Sequence, residues 1–298
     1  MPDTRLLPLP RRRLLLRAAA LPLLAGCQTS APTSRDSAAL AQLQALEQGF
    51  DGRLGLCAIE TGSGRTLAWR ADERFPLCST FKAVLAAAVL AQSSRSPGLL
   101  QRRMRYTRQD LVTYSPVTGA HVGDGMTVGE LCAAAIQHSD NTAGNLLLQL
   151  VGGPSALTAY ARSVGDMAFR LDRWETALNS ALPGDERDTT TPAAMSATLK
   201  RLALDAELTA PQRAQLQDWL LGNTTGGSRI RAGMPAGWRV GDKTGTGDYG
   251  STNDIAVLWP PQRAPVTLAI YLTGTALDAR PRNEIVAQAA RIVADWLA

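Results

Sequence analysis

Apolar residues recur at helical spacing from Ser37 to Gln48 (SAALAQLQALEQ), which predicts a helix capped by Asp36 or Ser37. Residues 53–60 and 65–70 read as two strands, and Thr61-Gly62-Ser63-Gly64 between them reads as a hairpin turn. Ser79 to Gln92 (STFKAVLAAAVLAQ) is helical and almost wholly apolar after Lys82, the pattern of a helix buried on all sides. Further helical periods lie near 127–137, 140–151, 155–164, 193–204 and 211–221. The pattern then changes: Trp238–Thr246, Ser251–Trp259 and Val266–Thr273 predict three successive strands, and Pro281 to Leu297 a last helix. Strands joined by short turns pair antiparallel. The expected fold is an α/β (α+β) sandwich, a five-stranded antiparallel sheet flanked by helices, plus an all-helical subdomain inserted between the two groups of strands. Residues 170–191 show no helical period and contain Pro183-Gly184-Asp185; an irregular loop of that length in a compact body is usually functional.

The chain has 298 residues, 45% hydrophobic and 19% charged, which is a globular composition and not a disordered one. Its net charge is +5, but Arg5, Arg11, Arg12, Arg13 and Arg17 face Asp3 alone in residues 1–26, so the rest is nearly neutral. A nearly neutral body with scattered arginines offers no footprint for nucleic acid. Residues 1–26 read instead as an export signal: a basic start, a short apolar stretch broken by Arg17 and Pro22, then small residues. Arg11-Arg12-Arg13-Leu14-Leu15-Leu16 resembles a twin-arginine signal, and Leu24-Ala25-Gly26-Cys27 resembles a bacterial lipobox with a lipid anchor at Cys27. The alternative is a plain secretory signal cut nearby, for example before Ala31. Residues 27–36 are the expected flexible tether, and 37–298 the expected folded domain, exported to the periplasm and membrane-anchored if Cys27 is lipidated. The other cysteines, Cys57, Cys78 and Cys132, form no C-x-x-C pair, and no structural disulfide is expected.

Ser79-Thr80-Phe81-Lys82 puts a hydroxyl and an ammonium three residues apart on one helix face. A serine needs a neighbour to take its proton before it can act as a nucleophile. Lys82 is a candidate, its pKa expected to fall by desolvation on so apolar a helix. Lysine is rare here: Lys82, Lys200 and Lys243 are the only three, so arginine has not replaced it where a compact, deprotonatable charge is useful. Ser139-Asp140-Asn141 opens a helical pattern, and either Ser139 or Asp140 could be no more than an N-cap. Lys243-Thr244-Gly245 lies on a predicted strand, where the glycine lets a ligand approach the backbone. Other motifs fail on context. Gly245-Thr246-Gly247-Asp248-Tyr249-Gly250 fits G-x-G-x-x-G but leads into a strand, not a helix. His121 and His138 are too few for a His-rich zinc site, and no G-x-S-x-G elbow occurs. Asn223-Thr224-Thr225 fits a glycosylation sequon, which a bacterial signal makes irrelevant.

S-x-x-K, S-D-N and K-T-G in this order resemble the class A serine β-lactamases. Tyr114-Ser115-Pro116-Val117-Thr118 resembles that family's substrate-entrance loop; Arg173-Trp174-Glu175-Thr176-Ala177-Leu178-Asn179 and Pro183 to Pro192 resemble its omega loop. The resemblance spans residues 37–298 and implies a β-lactamase/transpeptidase-like fold and small β-lactams as substrates; no cofactor or metal is expected, and a monomer is the default expectation. It implies Ser79 as the nucleophile, with an oxyanion hole from the N–H groups of Ser79 and Thr246. Ser139 would pass a proton to the lactam nitrogen. Lys243 and Thr244, with Arg229, would hold the substrate carboxylate, Gly245 and Thr246 would line the substrate site beside them, Asn141 would bind the amide side chain, and Tyr114 would border the pocket. Glu175, helped by Asn179, would bind the water that clears the acyl-enzyme; whether Lys82 or Glu175 serves acylation stays open. Glu175 also separates this reading from its alternatives, a D-Ala-D-Ala peptidase or a β-lactam-binding protein without turnover. Two departures stand out. Many relatives carry a carboxylate-binding arginine where this chain has Thr252, and Arg229 is the expected substitute. Carbapenem-hydrolysing relatives often bridge the cysteine before the nucleophile; here Cys78 would face Gly247, so no bridge forms and weak carbapenem hydrolysis is expected.

Overall fold

The computed structural model describes residues 1–2 and 34–298; the rest of the expected export signal, the expected lipobox and most of the expected tether lie outside the described residues. Residues 34–298 belong to one compact unit. Its centre is an antiparallel five-stranded sheet of β1 (Gly52–Glu60), β2 (Thr66–Trp69), β3 (Arg239–Thr246), β4 (Thr252–Trp259) and β5 (Val266–Gly274), in the order β2-β1-β5-β4-β3. The two hairpin groups from opposite ends of the chain thus meet at the β1–β5 pair. Both sheet faces are covered, so alternate residues enter different cores. Leu268, Ile270 and Leu272 pack with α1 (Ser34–Gln48) and the last helix; Ala269 and Tyr271 pack with the helical insert.

The insert is built on α2 (Phe81–Ser93), buried without interruption from Phe81 to Leu90, as its composition requires. Around it lie α3 (Val128–Gln137), α4 (Asn141–Val151), α5 (Pro154–Ser163), α6 (Pro192–Ala203) and α7 (Ala210–Leu221). The chain returns through the short α8 (Ile230–Gly233) and closes with α9 (Asn283–Leu297). Thr127 and Glu130 cap α3 reciprocally, a capping box. Asp140 caps α4 through Ala143 N–H.

Three details depart from the sequence reading. The first helix starts at Ser34, so residues 34–36 of the expected tether are helical; Asp36 there accepts from Trp296 Nε1 at 2.6 Å, tying the first helix to the last. Ser79 belongs to a 3₁₀ turn, Cys78–Thr80, that leads into α2. The short pairs Phe75–Pro76 with Thr189–Thr190 and Arg103–Met104 with Met126–Thr127 are too brief to leave a period in the sequence. Among the described residues no helix is long and apolar enough to cross a membrane.

Candidate active site

The 3₁₀ turn before α2 presents Ser79 at the edge of β3, and Lys82 follows one turn later on the same face. Lys82 is fully buried, but not among hydrocarbon as its helix suggested. Its Nζ meets Ser79 Oγ at 2.9 Å, Ser139 O at 2.9 Å, Asn141 Oδ1 at 2.6 Å and Glu175 Oε1 at 2.9 Å. An ammonium has three hydrogens for those four oxygens, so it is fully engaged. Ser79 Oγ also donates to Glu175 Oε1 at 3.2 Å. One hydroxyl therefore touches both candidate bases.

The geometry of Glu175 comes from two elements. Asn179, one turn further along the loop, donates from Nδ2 to Glu175 Oε2 at 2.6 Å. Asn145 on α4 clamps the Glu175 backbone from both sides, Nδ2 donating to its carbonyl and Oδ1 accepting its N–H, each at 2.9 Å. The Glu175–Thr176 peptide is cis. Asp188 closes the loop: its carboxylate accepts from the N–H of Asp172 at 2.7 Å, from the N–H of Arg173 at 2.9 Å and from Arg173 Nε at 2.5 Å.

On the other side Ser139, at φ 57°, offers its carbonyl to Lys82 and its hydroxyl to Lys243 Nζ at 3.0 Å. Lys243 is fully buried and donates also to Thr244 O at 2.7 Å. Burial, then the nearby charge of Lys82, hold its ammonium pKa well below the usual lysine range. Asp140, the middle residue of S-D-N, does not reach the cleft. It caps α4 and accepts from the N–H groups of Val117 and Thr118, which pins the loop bearing Tyr114.

A cleft of about 380 Å³ unites the set, lined by Ser79, Tyr114, Ser139, Asn141, Asn179, Thr225, Arg229 and the edge residues Thr244, Gly245 and Thr246. Lys82, Glu175 and Lys243 lie buried behind it. Larger hollows of about 740 and 720 Å³ lie elsewhere and contain none of these groups. His121 and His138 line the second of those, and among the described residues no cluster of His, Cys, Asp and Glu could hold a metal ion.

A profile of the β-lactamase enzyme family matches residues 38–297. The carbapenem-hydrolysing β-lactamase KPC of Klebsiella oxytoca is 52% identical over 96% of this chain and 97% of its own length. The crystal structure of a β-lactamase from Desulfarculus baarsii superposes with a TM-score of 0.87 at 60% identity, covering 88% of this chain and 98% of that one. The last common ancestor of Gram-negative bacteria class A β-lactamase superposes at 0.85 with 59% identity, covering 88% and 100%. The chain belongs to the class A serine β-lactamases. It is accordingly a hydrolase of the β-lactam amide, an activity that confers resistance to these antibiotics.

Within this β-lactamase two expectations need correction. Gly245 was expected to make room for a ligand, but a Cβ there would meet Leu77 O at 3.0 Å, Cys78 Cβ at 3.1 Å and Ser79 N at 3.2 Å. The missing side chain lets the turn that carries Ser79 lie against β3. Arg229 was expected to grip a carboxylate, yet it is buried and already bonded. It donates to Gly245 O at 2.8 Å, Asn253 O and Thr246 Oγ1 at 2.7 Å, and Asn283 Oδ1 at 2.8 Å. Its reach into the cleft runs through the Thr246 hydroxyl. Cys57, Cys78 and Cys132 are free and buried; a Cβ at Gly247 would lie 2.8 Å from Cys78 Sγ, so the two positions do face each other.

Asn145, Gly144 and Thr225 escaped the sequence reading. Asn145 is one helical turn beyond Asn141 and shares its face, the one signal that could have found it. Gly144 sits where a Cβ would approach Lys82 Cε to 3.0 Å and Glu175 Cγ to 3.9 Å. We expect Gly144→Ala to lower kcat/KM roughly tenfold to a hundredfold, the cost of displacing reacting groups by a fraction of an ångström. Stability should stay within about 1 kcal/mol of the parent, because alanine is the better helix former. Steady-state kinetics beside a thermal melt check both; unchanged kcat/KM would mean that the Lys82 side chain has slack.

Proposed function

We propose that this β-lactamase opens penicillins and cephalosporins through an ester on Ser79 and clears that ester with water held by Glu175. Ser79 Oγ attacks the lactam carbonyl and gives its proton to the Lys82–Glu175 pair. The C–N bond breaks, and Ser139, hydrogen-bonded to Lys243, passes a proton to the leaving nitrogen. The N–H groups of Ser79 and Thr246 steady the oxyanion, a contribution of about 2.7–4 kcal/mol per donor in comparable sites. Glu175 then takes a proton from water as that water attacks the ester. Asn179 supports the last step: its Nδ2 is bound to Glu175, and its Oδ1 is buried with no partner among the described residues, an acceptor for a water hydrogen. The substrate carboxylate lies against Lys243, Thr244 and Thr246, and the amide side chain against Asn141.

The observation that carries this reading is the contact of one hydroxyl with both an ammonium at 2.9 Å and a carboxylate at 3.2 Å. A chromogenic cephalosporin tests it. Continuous turnover is expected, whereas release of a single equivalent would favour the peptidase or the non-turnover binder. Carbapenems in the same assay should be poor substrates, since Gly247 leaves Cys78 without a bridge. We also propose export to the periplasm with a lipid on Cys27, supported by the basic start and the Leu-Ala-Gly-Cys ending of residues 1–27. Mass spectrometry of the mature N-terminus should find a lipidated Cys27; an unmodified later residue would end the anchor proposal.

A further inference from the structure

The Asn223–Thr225–Thr244 chain has a direction that donor chemistry alone decides. The Thr225 backbone N–H can only donate, and it meets Asn223 Oδ1 at 3.1 Å, which fixes the amide's orientation. Asn223 Nδ2 accordingly donates to the buried carboxylate of Asp242 at 2.5 Å, which Arg231 Nε holds from its other oxygen, also at 2.5 Å. The Thr225 hydroxyl lies 2.8 Å from the same Asn223 Oδ1, which has no hydrogen to give, so Thr225 commits its single O–H there. Its 2.6 Å contact with Thr244 Oγ1 then requires Thr244 to be the donor. Thr244 thus turns its hydrogen towards Thr225 and its lone pairs towards the cleft. Thr246 is set the opposite way: Arg229 Nη2 donates to its oxygen at 2.7 Å, so its own hydrogen is not needed for that bond.

We propose that Thr225 is a positioning residue that competes with the substrate's carboxylate for the Thr244 hydrogen and so sets KM for anionic β-lactams. The proposal rests on the carboxylate site described under the proposed function. An arriving carboxylate cannot be bound by a hydroxyl that presents lone pairs. It must draw the Thr244 hydrogen away from Thr225, whose half-buried oxygen then turns to solvent. The exchange opposes binding by about one net hydrogen bond. The carboxylate is remote from the scissile bond, so the opposition is equal in the ground and transition states and falls on KM rather than kcat.

The test is steady-state kinetics of the parent, Thr225→Val and Thr225→Ser on one penicillin and on its carboxylate methyl ester. Valine matches threonine in shape and keeps the backbone N–H that satisfies Asn223. For Thr225→Val, KM for the acid is expected to fall roughly twofold to tenfold, the equivalent of one net hydrogen bond, with kcat little moved. KM for the ester should not fall, and Thr225→Ser should match the parent. Thr225→Ala, which removes the same hydroxyl, must show the same fall, and this holds the proposal open to refutation if valine disturbs folding. An unchanged or raised KM for the acid, or an equal fall for the ester, overturns it. A folded parent that turns over neither compound would overturn the hydrolase mechanism itself and remove this proposal with it, a result distinct from every other.

Discussion

Glu175→Gln should convert turnover of a chromogenic cephalosporin into a burst of one equivalent, with a covalent adduct on Ser79 that persists for minutes or longer. The substitution removes the carboxylate in contact with Ser79 Oγ and keeps its volume. Ser79 retains Lys82 Nζ at 2.9 Å as a second basic partner, so the ester still forms, though more slowly. Its hydrolysis has no replacement base. General-base assistance of this kind is worth roughly 10²–10⁴ in rate, so steady-state turnover should drop by about 10³. Asn179 can accommodate the change by turning its Oδ1, without a partner among the described residues, towards the new amide. Rapid-mixing absorbance and intact-protein mass measure the two parts. Full steady-state activity in this variant would remove Glu175 from the mechanism.

Asp188→Asn should lower Tm by on the order of 10 °C and change the ranking of substrates. Asp188 is buried at φ 56°, a backbone conformation that asparagine tolerates as well as aspartate, so the change isolates the charge. In the parent one oxygen accepts two backbone N–H groups and the other accepts Arg173 Nε. An amide has only one accepting end, so either the two N–H groups or the guanidinium must face a donor. Breaking a buried ion pair from one side costs about 3–5 kcal/mol, and the lower part of that range fits an asparagine that retains some bonds. The loop from Asp172 to Asp188 also holds Glu175 and Asn179, so its loosening should alter the ratio of kcat/KM between bulky and compact β-lactams. A melt and a substrate panel read both effects; identical kinetics would show that the loop does not depend on this pair.

The elements were legible because their causes are local. The wholly apolar run after Lys82 could only be a buried helix, and the three strands near the C-terminus were bounded by turn residues. The site was legible where spacing is local too: Ser79 and Lys82 lie one turn apart, and Lys243, Thr244 and Gly245 are consecutive. What could not be read was the partner of each group across the chain. Of the two cap candidates, Ser139 and Asp140, only the fold showed that Asp140 is the cap and Ser139 the one that faces the cleft. Arg229 looked like a carboxylate ligand; it lines the cleft, but most of its N–H groups brace β3 and β4. Gly245 looked like an opening for substrate and proved to seat the turn of Ser79.

By itself the sequence determined which residues were candidates for the chemistry and which faces of helix and strand they occupy, because helical and strand periods follow from backbone geometry alone. Only the tertiary structure decided that Ser79, Lys82 and Glu175 share one set of hydrogen bonds, that Asn145 and Gly144 make this possible, and which way the hydroxyls of Thr244 and Thr246 are polarised. Those outcomes depend on distances of about 3 Å between segments remote in sequence, and no one-dimensional pattern encodes them.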